Sequence, residues 1–361
     1  MGTWLEIIIG APIVLVLAAL GWRAWRQGRV AAALEIRGPN GIDEAGFVQI
    51  GGIEQWVSIR GEDLANPVIV VAHGGPGSGL CSLIAETTRG WEAHFTVVHW
   101  DQRGAGLTFS HAPKAQGEVS LARIAEDGLE VAAHALRRTG HAKAILFGGS
   151  WGSMVAMTMA RRRPELFCAL VGAGQVVDAA RNEEVGYEAL LARVRAAGDA
   201  RSEAALVGLG PPPWSLQQTM TERKILIGRY SPANERGMQG RVVVGLLSSP
   251  GLSLRQVMDW FGAANFSAVA LMGANFRYSD GPPYAPLAVP FVVIQGADDI
   301  QTPTSLAEAY VEAIEAPAKR FVSLPAGGHM AMVAMPEAFL EALLTKARPF
   351  AVSTPLPLGE V

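Results

Sequence analysis

Short apolar runs alternate with helical stretches along most of this chain, and no other feature of the sequence constrains the fold as strongly. Uninterrupted apolar runs such as 67–72 and 144–147 are typical of strands that are buried on both faces of a sheet. The intervening segments carry apolar residues at helical spacing, and the segment 121–139 ends at Gly140, a common helix stop. The pattern predicts an α/β fold with a doubly wound, mostly parallel sheet.

The alternation stops in the middle of the chain. Residues 177–288 are helical in pattern and rich in loops, and strand-like runs resume at 289–295 and 320–324. We therefore expect a helical cap at 177–288, inserted between two parts of one α/β core, residues 29–176 and 289–361.

Composition excludes some classes of protein and of site. Half of the 361 residues are apolar, which is enough to build a large buried core. The formal charge of −3 gives no electrostatic reason to expect nucleic acid as a partner. The two cysteines, Cys81 and Cys168, provide neither a disulfide framework nor the spacing of metal ligands. No cofactor is predicted.

The amino terminus differs in kind from the rest of the chain. Residues 7–22 are 16 consecutive residues without a charge, and as a helix they would span about 24 Å. Leu5 and Trp4 bring this length close to the roughly 30 Å of a bilayer core. No Lys or Arg precedes the run, as would be usual in a cleaved signal peptide. The pattern predicts a transmembrane anchor at 1–28, with membrane lipid as a partner.

Charges beside this apolar run predict its orientation. Arg23, Arg26 and Arg29 follow the run, whereas only Glu6 and the amino group precede it. The positive-inside rule then places the body of the protein on the cytoplasmic side. Two alternatives remain open, a helix packed on the rest of the protein and a helix lying in the membrane surface.

A Gly-x-Ser-x-Gly sequence lies between an apolar strand and a helical segment. Gly148 and Gly152 permit a sharp turn that a Cβ would obstruct, so Ser150 would be exposed at the carboxyl end of its strand. A serine in this position is a candidate nucleophile. The amide of Trp151 would then point into the site from a helix amino terminus.

An acid and a base follow later strands. Asp298 and Asp299 come directly after the strand at 291–295, and His329 follows the strand at 320–324 and three small residues. A carboxylate there could accept the Nδ1 proton of His329 and stabilise the imidazolium. Two adjacent aspartates leave the choice of acid open on chemical grounds.

A glycine turn follows the early strand at 67–72. Its sequence, His-Gly-Gly-Pro-Gly at 73–77, offers backbone N–H groups beside the serine turn. We predict that the amides of Gly75 and Trp151 stabilise an oxyanion, with Gly74 beside them as a substrate contact. No Lys-Ser/Thr follows the turn, which argues against a phosphate-binding loop.

With these motifs assembled, the sequence resembles the proline iminopeptidase branch of the α/β-hydrolases. The resemblance covers nearly the whole chain after about residue 44 and rests on HGGPG at 73–77, WDQRGAG at 100–106, GGSWGS at 148–153, G-x-x-D-x-x-T-P at 296–303 and GGH at 327–329. It implies the α/β-hydrolase fold, with Asp299 as the acid between Ser150 and His329. It also implies that Asp101 and Arg103 hold a turn, and that the hydrolysed bond follows an amino-terminal residue, often proline.

The cap departs from this family pattern. Family members hold the α-ammonium of the substrate with cap glutamates, in a motif with Trp-Glu, whereas Trp214 is followed here by Ser and Trp260 by Phe. Glu183 and Glu184, with Glu188 nearby, are the candidates for this role. The alternative interpretation is that they are carboxylates of a helix surface.

The leading hypothesis is a serine hydrolase that acts as an aminopeptidase on short peptides or small molecules. The runner-up is a carboxylesterase or amidase for small apolar acyl compounds, which is favoured by apolar cap residues, namely Met258, Phe261, Phe266, Met272 and Phe276. A non-catalytic binding protein on the same fold is disfavoured because serine, acid and histidine are all present.

Overall fold

The structure is a computed structural model. It describes the backbone of residues 2–352 except 215, 216, 276, 282 and 283, and the corresponding side chains except those of 2–10, 217–222, 272, 274, 275 and 352.

A single sheet organises the part of the chain that the structure describes. Its strands are β1 (Ile42–Ile50), β2 (Ile53–Gly61), β3 (Val68–Ala72), β4 (Thr96–Trp100), β5 (Ala144–Gly149), β6 (Phe167–Ala173), β7 (Phe291–Gly296) and β8 (Lys319–Leu324). They lie in the order β1-β2-β4-β3-β5-β6-β7-β8. β1 and β2 form an antiparallel hairpin and β2 is antiparallel to β4, while all later pairs are parallel. The predicted mostly parallel sheet is confirmed.

Helices connect and cover the strands. They are α1 (Gly2–Leu34), α2 (Ile84–Thr87), α3 (Gly106–His111), α4 (Leu121–Thr139), α5 (Trp151–Arg162), α6 (Ala179–Ala196), α7 (Ala200–Leu209), α8 (Gln217–Tyr230), α9 (Met238–Ser248), α10 (Leu254–Asn275), α11 (Thr304–Ala313), α12 (Ala331–Ala334), α13 (Pro336–Ala342) and α14 (Pro349–Val352). Short 3₁₀ turns occur at Cys81–Leu83, Arg89–Trp91, Pro164–Leu166 and Ala233–Glu235, and a π-turn occurs at Leu343–Ala347.

The central strands are apolar throughout because both of their faces are buried. In β3, Val68 and Val70 pack into a core shared with α4 and α5, whereas Ile69 and Val71 pack into a second core on the other face, with Phe339 of α13. Because successive side chains of a strand point to opposite faces, a strand covered on both faces must be apolar throughout. This two-sided burial is the reason that the strand pattern could be read from the sequence.

Five helices, α6 to α10, lie between β6 and β7 in the described part of the chain. They include a small apolar cluster of their own, in which Leu190, Leu206 and Ile227 pack with Ile300 of the core. The division at 177–288 into a separate cap stays a prediction.

The predicted transmembrane anchor is wrong. No helix in the described part of the chain is long and apolar enough to cross a membrane. Residues 7–10 of the predicted span, and Trp4 to Glu6, lie outside the side chains described.

The carboxyl-terminal half of α1 contacts the segment that joins α9 to α10. Arg23 donates a hydrogen bond to the carbonyl of Leu252, and Gln27 Nε2 donates to the carbonyl of Ser249 at 2.7 Å. Arg26 Nε lies 3.3 Å from Ser248 Oγ. Arg23 and Arg26, which predicted the orientation in a membrane, thus contact the protein itself. Because no helix of the described residues can span a membrane, the predicted membrane localisation with its cytoplasmic orientation is wrong, and the predicted lipid partner is not supported.

Candidate active site

Ser150 occupies a strained turn between β5 and α5. Its backbone has φ 53° and ψ −124°, a conformation that is costly for a residue with a side chain and that occurs at functional sites. A Cβ on Gly148 would lie 2.6 Å from the carbonyl oxygen of Gly152, and one on Gly152 would collide with the carbonyl of Ala72. The two glycines are therefore required for the turn, which presents Ser150 at the carboxyl end of the sheet.

His329 lies between Ser150 and Asp299. Its Nε2 is 2.9 Å from Ser150 Oγ, and its Nδ1 is 2.9 Å from Asp299 Oδ2. Because a carboxylate only accepts, Nδ1 carries the proton and Nε2 is left to accept from the serine hydroxyl. The structure thus brings together three residues that are separated by up to 179 positions in the chain.

The two adjacent aspartates have different surroundings. Asp299 is 4% exposed and accepts hydrogen bonds from the amides of Gln301 and Thr302 at 2.8 and 3.0 Å, and from Thr302 Oγ1 at 2.7 Å. The Asp298 carboxylate is half exposed and lies 3.6 Å from Arg193. Of the two aspartates, Asp299 contacts His329, and its role as the catalytic acid stays a prediction.

The pKa values of Asp299 and His329 are shifted in the directions that favour an ion pair between them. Burial by itself would raise the pKa of Asp299, but the charge and hydrogen bond of His329 and the bonds from Thr302 outweigh it and lower that pKa. Burial would likewise lower the pKa of His329, but Asp299, with a smaller contribution from Glu235, raises it. The surroundings therefore stabilise an imidazolium at position 329.

The two amides predicted for an oxyanion hole lie at the same cavity as Ser150. Gly75, with φ 121°, and Trp151, the first residue of α5, both line it. Gly74 makes a close backbone approach, since a Cβ there would lie 3.2 Å from that of Ser150. Amides in the first turn of a helix have no acceptor within the helix and favour negative charge. The oxyanion role of this pair stays a prediction.

The cavity has a volume of about 400 Å³ and lies between the sheet edge and α6, α8 and α10. Its polar lining residues are Ser78, Ser150, Asn182, Glu183, Arg223, Lys224, Asn265, Gln301, Thr302 and His329. In the described part of the chain, no group of three or more His, Cys, Asp or Glu side chains is arranged to hold a metal ion.

The two predicted substrate glutamates are separated by the fold. Glu183 lines the cavity, but its Oε2 lies 2.7 Å from Arg223 Nη1 in a largely buried ion pair. Glu184 is exposed and pairs with Arg181, so the prediction that it contacts substrate is not supported. Glu188 is exposed as well. On a helix, adjacent residues point about 100° apart, so Glu183 and Glu184 cannot both face one cavity.

Three of the predicted apolar cap residues have described side chains, and none of the three lines the cavity. Met258 is 74% and Phe261 45% exposed, whereas Phe266 packs on Phe109 with ring centroids 5.2 Å apart. The side chains of Met272 and Phe276 lie outside the described residues. Met258, Phe261 and Phe266 therefore give no support to an apolar acyl substrate.

Four further residues of this site were not predicted from the sequence as site residues. Thr302 lies 3.2 Å from His329 Nδ1, and a Cβ on Gly174 would lie 2.9 Å from His329 Cε1. Arg223 pairs with Glu183, and Glu235 binds the backbone beside His329. Thr302 is part of the motif that was recognised, but the other three carry no local signal.

Comparison with known proteins gives relatives that are named as peptidases. The chain is 27% identical over 307 residues to the "probable aminopeptidase YbaC" of Bacillus subtilis, which covers 83% of this chain and 95% of that protein. It is 32% identical over 132 residues to the proline iminopeptidase of Neisseria gonorrhoeae, covering 35% of this chain and 38% of that one. The predicted resemblance to proline iminopeptidases is confirmed.

A solved structure shares the fold. The proline iminopeptidase of Mycobacterium smegmatis superposes with a TM-score of 0.61 at 20% identity, over 86% of this chain and 99% of that one. Residues 67–334, which include Ser150, Asp299 and His329, match the family described as alpha/beta hydrolase fold. This chain belongs to the alpha/beta hydrolase family.

Proposed function

We propose that this protein is a serine hydrolase that cleaves an amide bond through an acyl-enzyme on Ser150, as an aminopeptidase of the proline iminopeptidase type. One observation carries the proposal. The His329 ring lies 2.9 Å from Ser150 Oγ on one side and 2.9 Å from Asp299 Oδ2 on the other. Both distances are those of hydrogen bonds.

In the proposed mechanism, Ser150 Oγ attacks the scissile carbonyl carbon while His329 Nε2 takes its proton. The amides of Gly75 and Trp151 donate to the oxyanion, and Asp299 stabilises the imidazolium. The imidazolium then protonates the leaving amine as the C–N bond breaks. A water molecule attacks the acyl-enzyme by the reverse sequence, with His329 again as base.

The substrate class follows from the relatives and from the size of the cavity. Both curated relatives carry peptidase names, and a volume of about 400 Å³ suits a short peptide or a small molecule. In this proposal residues 177–288 act as the cap over the core segments 29–176 and 289–361. Glu183 remains the candidate for binding an α-ammonium, although it would share its charge with Arg223.

A carboxylesterase or amidase is the second candidate, and one observation favours it. Most of the remaining lining of the cavity is apolar, namely Pro76, Met154, Val176, Ala179, Ala264, Ala268 and Val269. An apolar acyl group would bury against this wall without requiring a charge partner.

A fluorophosphonate probe tests the chemistry. We expect the wild type and a Ser110→Ala control, whose serine binds Asp259 on the cap, to be labelled, and Ser150→Ala to lose labelling completely. Labelling of Ser150→Ala would refute the nucleophile.

A substrate panel then distinguishes the two candidates. Cleavage of proline and alanine p-nitroanilides favours the aminopeptidase, and N-acetylation of these substrates should abolish it. Cleavage of p-nitrophenyl esters alone favours the esterase.

A further inference from the structure

Glu235 is a buried carboxylate that belongs to the cap and contacts the loop of the catalytic histidine. It ends the short turn Ala233–Glu235 between α8 and α9 and is 6% exposed. Its Oε1 accepts hydrogen bonds from the amides of Gly328 and Met330, at 2.7 and 2.9 Å. These are the two amides that flank His329.

The packing around this contact leaves little freedom. A Cβ on Gly328 would lie 2.6 Å from Glu235 Oε2 and 2.9 Å from Pro232 Cδ, so the chain at residue 328 lies directly against the cap turn. A buried amide that loses its acceptor is costly, which makes one carboxylate oxygen an effective support for two donors. The position of the His329 ring therefore depends on a residue 94 positions earlier in the chain.

Glu235 also acts on His329 electrostatically. The charged groups that act on this ring are Asp299, from the loop after β7, Glu235, from the cap turn, and Arg223, from α8. The first two raise the pKa of His329, whereas Arg223 lowers it. Arg223 is itself paired with Glu183, which reduces its opposing effect. Two carboxylates, one from the core and one from the cap, therefore favour the imidazolium.

We propose that Glu235 is a positioning residue that holds the His329 loop from the cap and supplies a second negative charge to the imidazolium. This inference rests on the proposed function, in which His329 becomes an imidazolium in each half-reaction. It assigns the cap a part in the chemistry, beyond covering the substrate.

Two substitutions separate the contributions. Glu235→Gln retains an oxygen that can accept from both amides but removes the charge, whereas Glu235→Ala removes both. Glu203→Gln is the matched control, because Glu203 is a cap glutamate that pairs with Arg195 at an exposed site. The pH dependence of fluorophosphonate labelling and of kcat/KM is measured for each, together with the thermal midpoint to establish folding.

For Glu235→Gln we expect the acid midpoint of activity to fall by about half a pH unit or more, because the neutral ring is favoured. For Glu235→Ala we expect a loss of about 10²-fold in rate from misplacement of the ring, with the same direction of shift. If Glu235→Gln retains part of the rate that Glu235→Ala loses, the difference in rate between the two variants is due to the hydrogen bonds.

A Glu235→Gln protein with the acid midpoint of the wild type would overturn the electrostatic role. A Glu235→Ala protein with the activity of the wild type would overturn the positioning role. Failure of the proposed function has a different signature, since the wild type would then not react with the probe at Ser150.

Discussion

The cavity has two walls that differ in how completely their polar groups are paired. On the core wall, Asp299, His329 and Ser150 form a continuous chain of hydrogen bonds. On the cap wall, within the part of the chain that the structure describes, Asn182 Oδ1 and Arg223 Nε and Nη2 are buried without a hydrogen-bond partner. Both walls bury charge in pairs, but among the described residues that line the cavity only those of the cap wall leave buried polar atoms without a hydrogen bond.

This difference indicates a division of labour. A buried donor or acceptor without a partner costs about 1–3 kcal/mol, so such atoms are uncommon and occur where function requires them. A substrate or water that reaches the cap wall can gain hydrogen bonds without breaking existing ones. Within the proposed function, we expect the core wall to carry the reaction and the cap wall to select the substrate, which substitutions on each wall can test.

The largest effect is expected on the core wall. Asp299→Asn should lower kcat by about 10⁴-fold, because the imidazole loses its orienting acceptor and the imidazolium its charge partner. Asp298→Asn should change kcat by less than about twofold. The Asp298 carboxylate is half exposed and forms a surface ion pair with Arg193 at 3.6 Å, and such pairs contribute little. Steady-state kinetics of the two variants measures the difference, and equal losses would mean that the acid is not Asp299.

A smaller effect is expected on the cap wall. Arg223→Met leaves Glu183 buried and unpaired, and should lower the free energy of unfolding by about 3–5 kcal/mol. The double variant with Glu183→Gln should regain most of this loss, because no charge is then left without a partner. Urea denaturation of the four proteins measures the coupling, and additive losses would show that the pair is not energetically linked.

The same pair should affect substrate choice more than chemistry. In a folded Arg223→Met protein we expect KM to change by more than kcat, since Arg223 lines the cavity but does not contact Ser150, His329 or Asp299. If kcat of Arg223→Met fell as much as that of Asp299→Asn, the cap wall would affect the reaction as strongly as the core wall does.

Acid should destabilise the core through a buried histidine on β4. Burial lowers the pKa of His99 from 6.5 to about 3, so the unfolded chain binds a proton that the folded one does not. The free energy of unfolding should therefore fall as pH drops from about 6.5 towards 3, by on the order of 1 kcal/mol per pH unit. Thermal unfolding at pH 7 and pH 5 should show a smaller difference for His99→Gln, but not for the exposed His111→Gln.

The smallest effect tests the runner-up substrate. Met258→Ser should change ester and amide hydrolysis by less than about twofold, because the side chain is 74% exposed and does not line the cavity. A selective loss of hydrolysis of apolar esters would show that Met258 contacts the substrate and would favour the esterase.

Much of the fold could be predicted because burial on both faces of a sheet leaves a continuous apolar run. The predicted strands at 67–72 and 144–147 correspond to β3, Val68–Ala72, and β5, Ala144–Gly149. The serine turn was recognisable because its glycines and serine form a five-residue motif between a strand and a helix, although the contact that requires Gly152 is with the distant Ala72. Strands and turns of this kind can be predicted because their pattern lies within a few consecutive residues.

The amino-terminal helix was predicted wrongly because hydrophobicity does not identify its partner. The uncharged run predicted a membrane span, but the contacts of α1 lie in its polar half, where Arg23 and Gln27 bind the carbonyls of Leu252 and Ser249. Glu183 and Glu184 show the same limit, since helix rotation, which their adjacency did not reveal, directs only one of them to the cavity.

The sequence by itself determined the parallel core, the serine turn and the chain order of serine, acid and histidine, because each strand and each of these residues is marked by a short local motif. Tertiary structure decided which groups surround them. Glu235 reaches the amides beside His329 across 93 to 95 positions, and Arg223 reaches Glu183 from another helix. Only folding brings such distant segments within hydrogen-bond range, so the residues that tune and select around Ser150 could not be identified from the sequence.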